Sequence, residues 1–198
     1  MWEEQEKQWI VEPFRPEDAE GISNLYRMIY GEHFPKKEVY LPDWIRSESA
    51  CGNSFLVVAR DLDGQVISSS SLFRSVPTNP DLYEAGGAMV LDAYKQTSVG
   101  MEVMNFLIHE LPKLSGIKVV WGEAVCNHIF TQMMVFKSGH YPSALEVDMM
   151  PASSYEKLGE RGQSENSRVS TLVVTRQIEE SPMMKIYLPS DSNKPLRE

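Results

Sequence analysis

The stretch Val90-Leu91-Asp92-Ala93-Tyr94-Lys95-Gln96-Thr97-Ser98-Val99-Gly100 decides the fold. It joins an apolar run to a helical pattern that spans about Val99 to Leu111 through a short polar turn. The start of a helix presents unpaired backbone N–H groups and a partial positive charge, so such a turn can cradle a pyrophosphate without a metal. The candidate anion-binding residues are Lys95, Gln96, Thr97, Ser98, Val99, Gly100 and Met101.

Upstream of this turn the pattern predicts a strand, two helices and three further strands. The expected ranges are 9–14, a helix following Arg15, a helix over 38–47, and strands over 54–60, 65–73 and 82–91. Asp63-Gly64 is a strong hairpin turn between the second and third strands. Gly86-Gly87 lies inside the fourth strand, where glycine typically marks a bulge or a close backbone approach.

Downstream, strand and helix patterns alternate. We expect a strand over 118–125, a helix over 129–137, strands over 145–149 and 169–177, and a long connection over 151–167. Pro112 should end or bend the helix that follows the turn. The order βαα, βββ, αβ, αβ, β indicates an α/β fold with a mixed sheet covered by helices. We predict one domain over 1–180 and a weakly structured tail over 181–198.

Composition excludes several functional classes. The 198 residues include 19 Lys plus Arg and 28 Asp plus Glu, which gives a net charge of −9. An acidic chain repels phosphate backbones and anionic membrane surfaces, so we expect no nucleic-acid partner and no membrane. The acidic start differs from a signal peptide, and Cys51 and Cys126 are too few for a disulfide framework, which together predict a cytoplasmic protein.

The order of elements and the turn together resemble the GNAT family of N-acetyltransferases over about residues 9–177. The family pattern is Val-x-Pro-x-Tyr-Arg-Gly-x-Gly-Ile-Gly, and this chain departs from it at Asp92, Gln96 and Ser98. The resemblance implies a GNAT-like mixed, mostly antiparallel, twisted sheet flanked by helices. It also implies acetyl-CoA or another acyl-CoA as co-substrate.

A second stretch, from Cys126 to Tyr141, is similar to the family's next strand–helix unit. The resemblance places Asn127 at the pantetheine arm, and Met89, Val90 and Leu91 on the bulged strand that holds the cofactor. The tyrosine that many members use as general acid falls at Val135, which has no proton to give.

Two residues are catalytic candidates. Glu84, on the bulged strand, is either the general base or a solvated carboxylate at a strand edge. His128 follows Asn127 and titrates near neutral pH, but a histidine at a helix start often has no chemical role. Cys126 is either a nucleophile or, more simply, a small core residue. Ser68-Ser69-Ser70-Ser71 either lines a polar pocket or belongs to an edge strand. We expect no metal site, because Cys126 and His128 supply too few ligands.

The resemblance favours acyl-CoA-dependent N-acyl transfer to a small-molecule or protein amine in a direct ternary complex. The alternative is a non-catalytic acyl-CoA-binding regulatory or sensor module, possibly part of a longer protein. A third reading is acyl-chain processing on a carrier protein. The sequence leaves a homodimer open.

Overall fold

A computed structural model describes residues 8–127, 129–151 and 168–179. Seven strands form one sheet in the order β1-β2-β3-β4-β5-β7-β6. Among the described strands only the β4–β5 pair is parallel, so the sheet is mixed and mostly antiparallel, as the sequence predicts. The strands are β1 (Trp9–Pro13), β2 (Ser54–Asp61), β3 (Val66–Phe73), β4 (Leu82–Val90), β5 (Val119–Val125), β6 (Tyr141–Pro151) and β7 (Arg168–Gln177).

Within the described residues, five α-helices connect or cover these strands. They are α1 (Ala19–Tyr30), α2 (Pro42–Ala50), α3 (Val99–Asn105), α4 (Leu111–Ser115) and α5 (Ile129–Lys137). Short 3₁₀ turns over Pro16–Asp18, Lys37–Tyr40 and Asp92–Tyr94 precede α1, α2 and α3. Apolar residues at helical spacing on α1, among them Ile22 and Leu25, are 1% exposed and pack into the core.

The β2–β3 hairpin forms at the predicted turn. Gly64 has a φ of +85°, a left-handed conformation that favours glycine. The Asp61 side chain accepts hydrogen bonds from the backbone N–H groups of Asp63 at 3.1 Å and Gln65 at 2.8 Å. These local bonds favour the register of β3 against β2, in which Ser68 to Ser71 lie opposite Ala59 to Leu56.

Pro112 bends the helical path without ending it. The helix widens into a π-helical segment over Phe106–Glu110 and then continues as α4. Proline lacks an N–H and crowds the carbonyl four residues earlier, that of Ile108. Arg176 of β7 donates a hydrogen bond from Nη1 to this carbonyl at 3.1 Å. The π segment and Arg176 therefore accommodate the proline inside a continuous helix, which ends at Gly116 with φ +66°.

Two sequence interpretations need correction. β3 is a central strand, and Ser68, Ser69 and Ser70 are at most 2% exposed, so the edge-strand reading of the serine run is wrong. Cys126 lies in an exposed turn after β5 rather than in the core. The apolar face of α5 is largely open to solvent: Ile129, Met133 and Phe136 are 74%, 46% and 42% exposed.

Two predictions concern segments outside the residues that the structure describes. The long connection falls mostly on residues 152–167 and the C-terminal tail on residues 181–198, both outside the described residues. Within the described parts of the chain, no helix combines the length and the hydropathy needed to cross a bilayer.

Candidate functional site

The centre of the sheet opens into a gap between β4 and β5. In the described residues these parallel strands pair at only three positions, the last of which joins Glu84 to Trp121. Both strands continue beyond that point, β4 to Val90 and β5 to Val125. The backbone groups that face each other across the gap therefore lack ladder partners. An extended ligand placed here can bond to both strands.

A β-bulge lies on the β4 side of the gap. Ser71 pairs with Gly86 and Ser69 with Met89, so β4 has one more residue than β3 between these pairs. Gly87 has a φ of +64°, which explains the requirement for glycine. A Cβ at this position would also lie 3.1 Å from the hydroxyl of Tyr26 on α1. The prediction that Gly86-Gly87 marks a bulge is confirmed.

The backbone groups of β4 point in different directions at Met89, Val90 and Leu91. The Leu91 N–H donates to the Ile67 carbonyl at 2.9 Å, and the Met89 carbonyl accepts from Ser68 Oγ at 2.8 Å, so both groups face β3. Strand residues alternate in the direction of their peptide groups. Val90, between them, therefore directs its peptide groups toward the gap.

The turn that begins α3 stands at the end of β4 beside this gap. Its first intrahelical bond runs from Glu102 N to Ser98 O at 2.9 Å, so the N–H groups of Gly100 and Met101 precede it. Gln96, Thr97 and Ser98 are exposed, whereas Val99 is fully buried and anchors the helix start. Gly100 is required for close packing, because a Cβ there would lie 3.1 Å from Val90 Cγ2.

Side chains of the turn are already engaged with one another. Lys95 forms an ion pair with Asp92 at 2.7 Å, and both side chains are more than half exposed. Ser98 Oγ donates to Glu102 Oε1 at 2.8 Å, and Thr97 Oγ1 donates to the Tyr94 carbonyl at 2.7 Å. The hydroxyl groups are thus held within the turn. The backbone N–H groups of Lys95, Thr97 and Val99 are also engaged, since they donate to Asp92 O, Tyr94 O and Thr97 Oγ1.

The opposite wall of the gap is the end of β5. Asn127 is exposed in the turn after β5, as Cys126 is. Gln132 of α5 donates from its side-chain amide to the carbonyls of Val125 and Cys126, each at 3.1 Å, and so ties α5 to the strand end. His128, the second catalytic candidate, lies outside the described residues.

Three glutamates lie close enough in space to influence one another's ionisation. Burial raises the pKa of Glu84, a hydrogen bond to Ser75 lowers it in part, and the charge of Glu146 raises it again. Burial also raises the pKa of Glu123, followed by the charges of Glu146 and Glu84. No three metal-binding side chains come together anywhere in the described residues. The glutamates are suited to accept a proton or attract a cation.

No protein-family model matches the sequence, and no curated protein matches it. Solved structures do match. A GNAT-family acetyltransferase from Streptococcus pneumoniae has a TM-score of 0.65 at 12% identity, over 86% of this chain and 99% of that one. The Salmonella typhimurium protein yncA, solved with its cofactor acetyl-CoA, has a TM-score of 0.64 at 12% identity, over 90% and 99%.

The chain has the GNAT fold. A third similar structure is the spermidine/spermine N-acetyltransferase SpeG from Vibrio cholerae, with a TM-score of 0.60 and 10% identity. It matches over 86% of this chain and 92% of its own. At these identities the likeness is one of architecture, so activity must be argued from this chain's own residues.

Within the GNAT fold, sequence reasoning missed two contributors to the site. Tyr26 lies against the bulge from α1, and Glu146 faces Glu84 and Glu123 from β6. No local sequence pattern predicts either residue, because their positions depend on strands and helices that are far apart in the chain. Burial raises the pKa of Tyr26 to about 12, so its hydroxyl remains a hydrogen-bond donor near neutral pH.

Proposed function

We propose that this chain is an acyl-CoA-dependent N-acyltransferase that transfers an acetyl group directly to an amine. The observation that carries the proposal is the gap between β4 and β5, with a bulge on one wall and a helix start at its end. Acetyl-CoA, as co-substrate, supplies the acyl group as a thioester. The structure of yncA with acetyl-CoA supports the capacity of this fold to hold it.

The residues present fit such a co-substrate. In the proposed complex the turn residues Lys95 to Ser98 and the first turn of α3, Val99 to Met101, receive the pyrophosphate. The backbone of Val90 and the side chain of Asn127 hold the pantetheine arm from the two sides of the gap. Buried Met89 and Leu91 keep the strand in place through their bonds to β3.

The acceptor amine enters near the glutamates. An alkylamine is protonated at neutral pH and must lose a proton before it can attack the thioester carbonyl. Glu84, at the point where the strands separate, takes that proton, because its raised pKa makes the carboxylate a better base. Glu123 and Glu146 add negative charge that attracts a cationic acceptor, and SpeG offers a precedent in its polyamine substrate.

A non-catalytic acyl-CoA-binding module is the second candidate, and one observation favours it. Val135 stands where many members of the family carry the tyrosine that protonates the leaving thiolate. Turnover separates the two functions, since a sensor binds acetyl-CoA but releases no free thiol in the presence of amines.

The cofactor site can be tested by adding one charge to the turn. Gln96→Glu places a carboxylate on an exposed residue at the proposed pyrophosphate site, where acidic residues do not destabilise a helix start. Repulsion should weaken acetyl-CoA binding about three- to tenfold in calorimetry at low salt. The matched control is Gln177→Glu, an equally exposed residue at the end of β7 that pairs with the far end of β5. Equal affinities for both variants would refute the placement.

A further inference from the structure

The four serines of β3 are the least expected feature of the core. A central strand is normally rich in branched apolar residues, yet Ser68, Ser69 and Ser70 are 1–2% exposed in the middle of this sheet. Buried hydroxyl groups need hydrogen-bond partners, and the partners show what these residues do.

Two of the serines converge on one carbonyl. Ser70 Oγ donates to Gly86 O at 3.1 Å and Ser71 Oγ donates to the same oxygen at 3.2 Å. Adjacent strand residues project to opposite faces of a sheet, so the two hydroxyls hold this carbonyl from both faces. Ser68 Oγ donates to Met89 O at 2.8 Å. Gly86 and Met89 are the residues paired with β3 on either side of the bulge.

We infer that Ser70 and Ser71 are positioning residues that hold the β4 bulge in the conformation presented to the acyl group. This inference rests on the proposed function. With the carbonyls of Gly86 and Met89 fixed toward β3, the intervening Gly87 and Ala88 are paired with neither β3 nor β5 in the described ladders. A trans peptide sets the N–H of the next residue opposite its carbonyl, so the N–H groups of Gly87 and Val90 point away from β3 and toward the gap. In the proposed complex these two N–H groups polarise the thioester carbonyl.

The geometry gives a reason for hydroxyls at these positions. A bulge interrupts the ladder, and a carbonyl buried there without a donor is costly. The ladder pairing ends at Gly86, and there two serine hydroxyls of the neighbouring strand bind its carbonyl. Tyr26 limits movement on the α1 side, because a Cβ on Gly87 would lie 3.1 Å from its hydroxyl. Loss of both serine hydroxyls should free Gly86 O to turn, and the bulge would then lose its fixed orientation.

The test measures the ¹³C chemical shift of the bound acyl carbonyl. Acetyl-CoA labelled with ¹³C at the carbonyl is bound to saturation by the wild type and by the double variant S70A/S71A. Polarisation by N–H donors moves the bound carbonyl resonance downfield of the free thioester. We expect the double variant to lose most of that shift while its affinity for CoA, which lacks the acetyl group, changes less than about twofold.

Matched variants control for packing and folding. Ser143→Ala removes a strand serine that also donates to a neighbouring strand, to Val173 O at 3.2 Å, but lies away from the gap. It should keep the wild-type resonance. Ser71→Thr retains a hydroxyl at a half-buried position and should restore the shift lost in Ser71→Ala, which serves as the readout if the double variant does not fold.

The outcomes are distinct. If the wild type binds neither CoA nor acetyl-CoA, the proposed function fails and this inference fails with it. If both bind and the double variant keeps the wild-type resonance, only the role of the serines is overturned. A resonance restored by Ser71→Thr supports positioning through the hydroxyl rather than a general packing effect.

Discussion

His140 makes a quantitative prediction about acid stability. The side chain is 6% exposed, and its Nδ1 has no hydrogen-bond partner within the described structure. Burial, followed by the charge of Arg176, lowers the pKa of His140 from 6.5 to about 4, although a hydrogen bond to the Val135 backbone raises it in part. The folded state therefore holds this imidazole neutral over a pH range in which the unfolded chain protonates it.

The sign of the effect follows from proton counting. Between pH 6.5 and 4 the unfolded state binds more protons at this residue, so stability rises with pH across that window and falls on acidification. The two pKa values give a loss of about 2 kcal/mol between pH 7 and pH 5. Residual solvent screening reduces this, so we expect ~1–2 kcal/mol.

The perturbation is His140→Phe, which keeps an aromatic ring and removes the titratable nitrogens. Urea unfolding of both proteins at pH 7 and pH 5 gives four free energies. The wild type should lose ~1–2 kcal/mol more than the variant over this interval, because other titrating groups cancel in the difference. Equal losses in the two proteins would refute the claim that His140 is buried in its neutral form.

Two further substitutions test the proposed base, Glu84, and the buried ion pair between Asp18 and Arg60. Glu84→Gln should lower the rate of thiol release with amines that the wild type acetylates by about 10²–10⁴-fold, and should remove the acid limb of the pH–rate profile; an unchanged limb would eliminate Glu84 as the base. Asp18→Ala removes a 4%-exposed carboxylate that accepts from Arg60 Nε at 2.6 Å and Nη2 at 2.5 Å, and it should cost about 3–5 kcal/mol in urea unfolding. Asp43→Ala, which breaks an exposed ion pair with Arg46, should unfold near the wild-type midpoint, and an equal loss in both variants would contradict the special role of burial.

Local chemistry explains why much of the fold could be predicted from the sequence. Asp63-Gly64 supplies a turn that almost any surrounding fold would accept, and Gly86-Gly87 marks a backbone conformation that other residues disfavour. The polar turn before Val99 likewise predicts the start of a helix. These signals lie within a few residues of the structure they determine, so the element order could be predicted.

The rest depends on contacts between distant segments. The serine run looked like an edge strand because small polar residues are common there, and only the carbonyls of the β4 bulge explain its burial. The Ile108 carbonyl, which Pro112 leaves without its helical N–H partner, accepts a hydrogen bond from Arg176 on the distant strand β7. The approach of Glu146 to Glu84 likewise requires the completed sheet. Such sites are assembled by topology, which periodicity alone does not specify.

The most direct measurement of the central claim is a crystal structure of the protein with acetyl-CoA. The account predicts the pantetheine arm between β4 and β5, the pyrophosphate against the turn from Lys95 to Met101, and the acetyl carbonyl at the backbone N–H groups of Gly87 and Val90. Acetyl-CoA bound at any other surface, or a gap that stays empty at millimolar ligand, would contradict it.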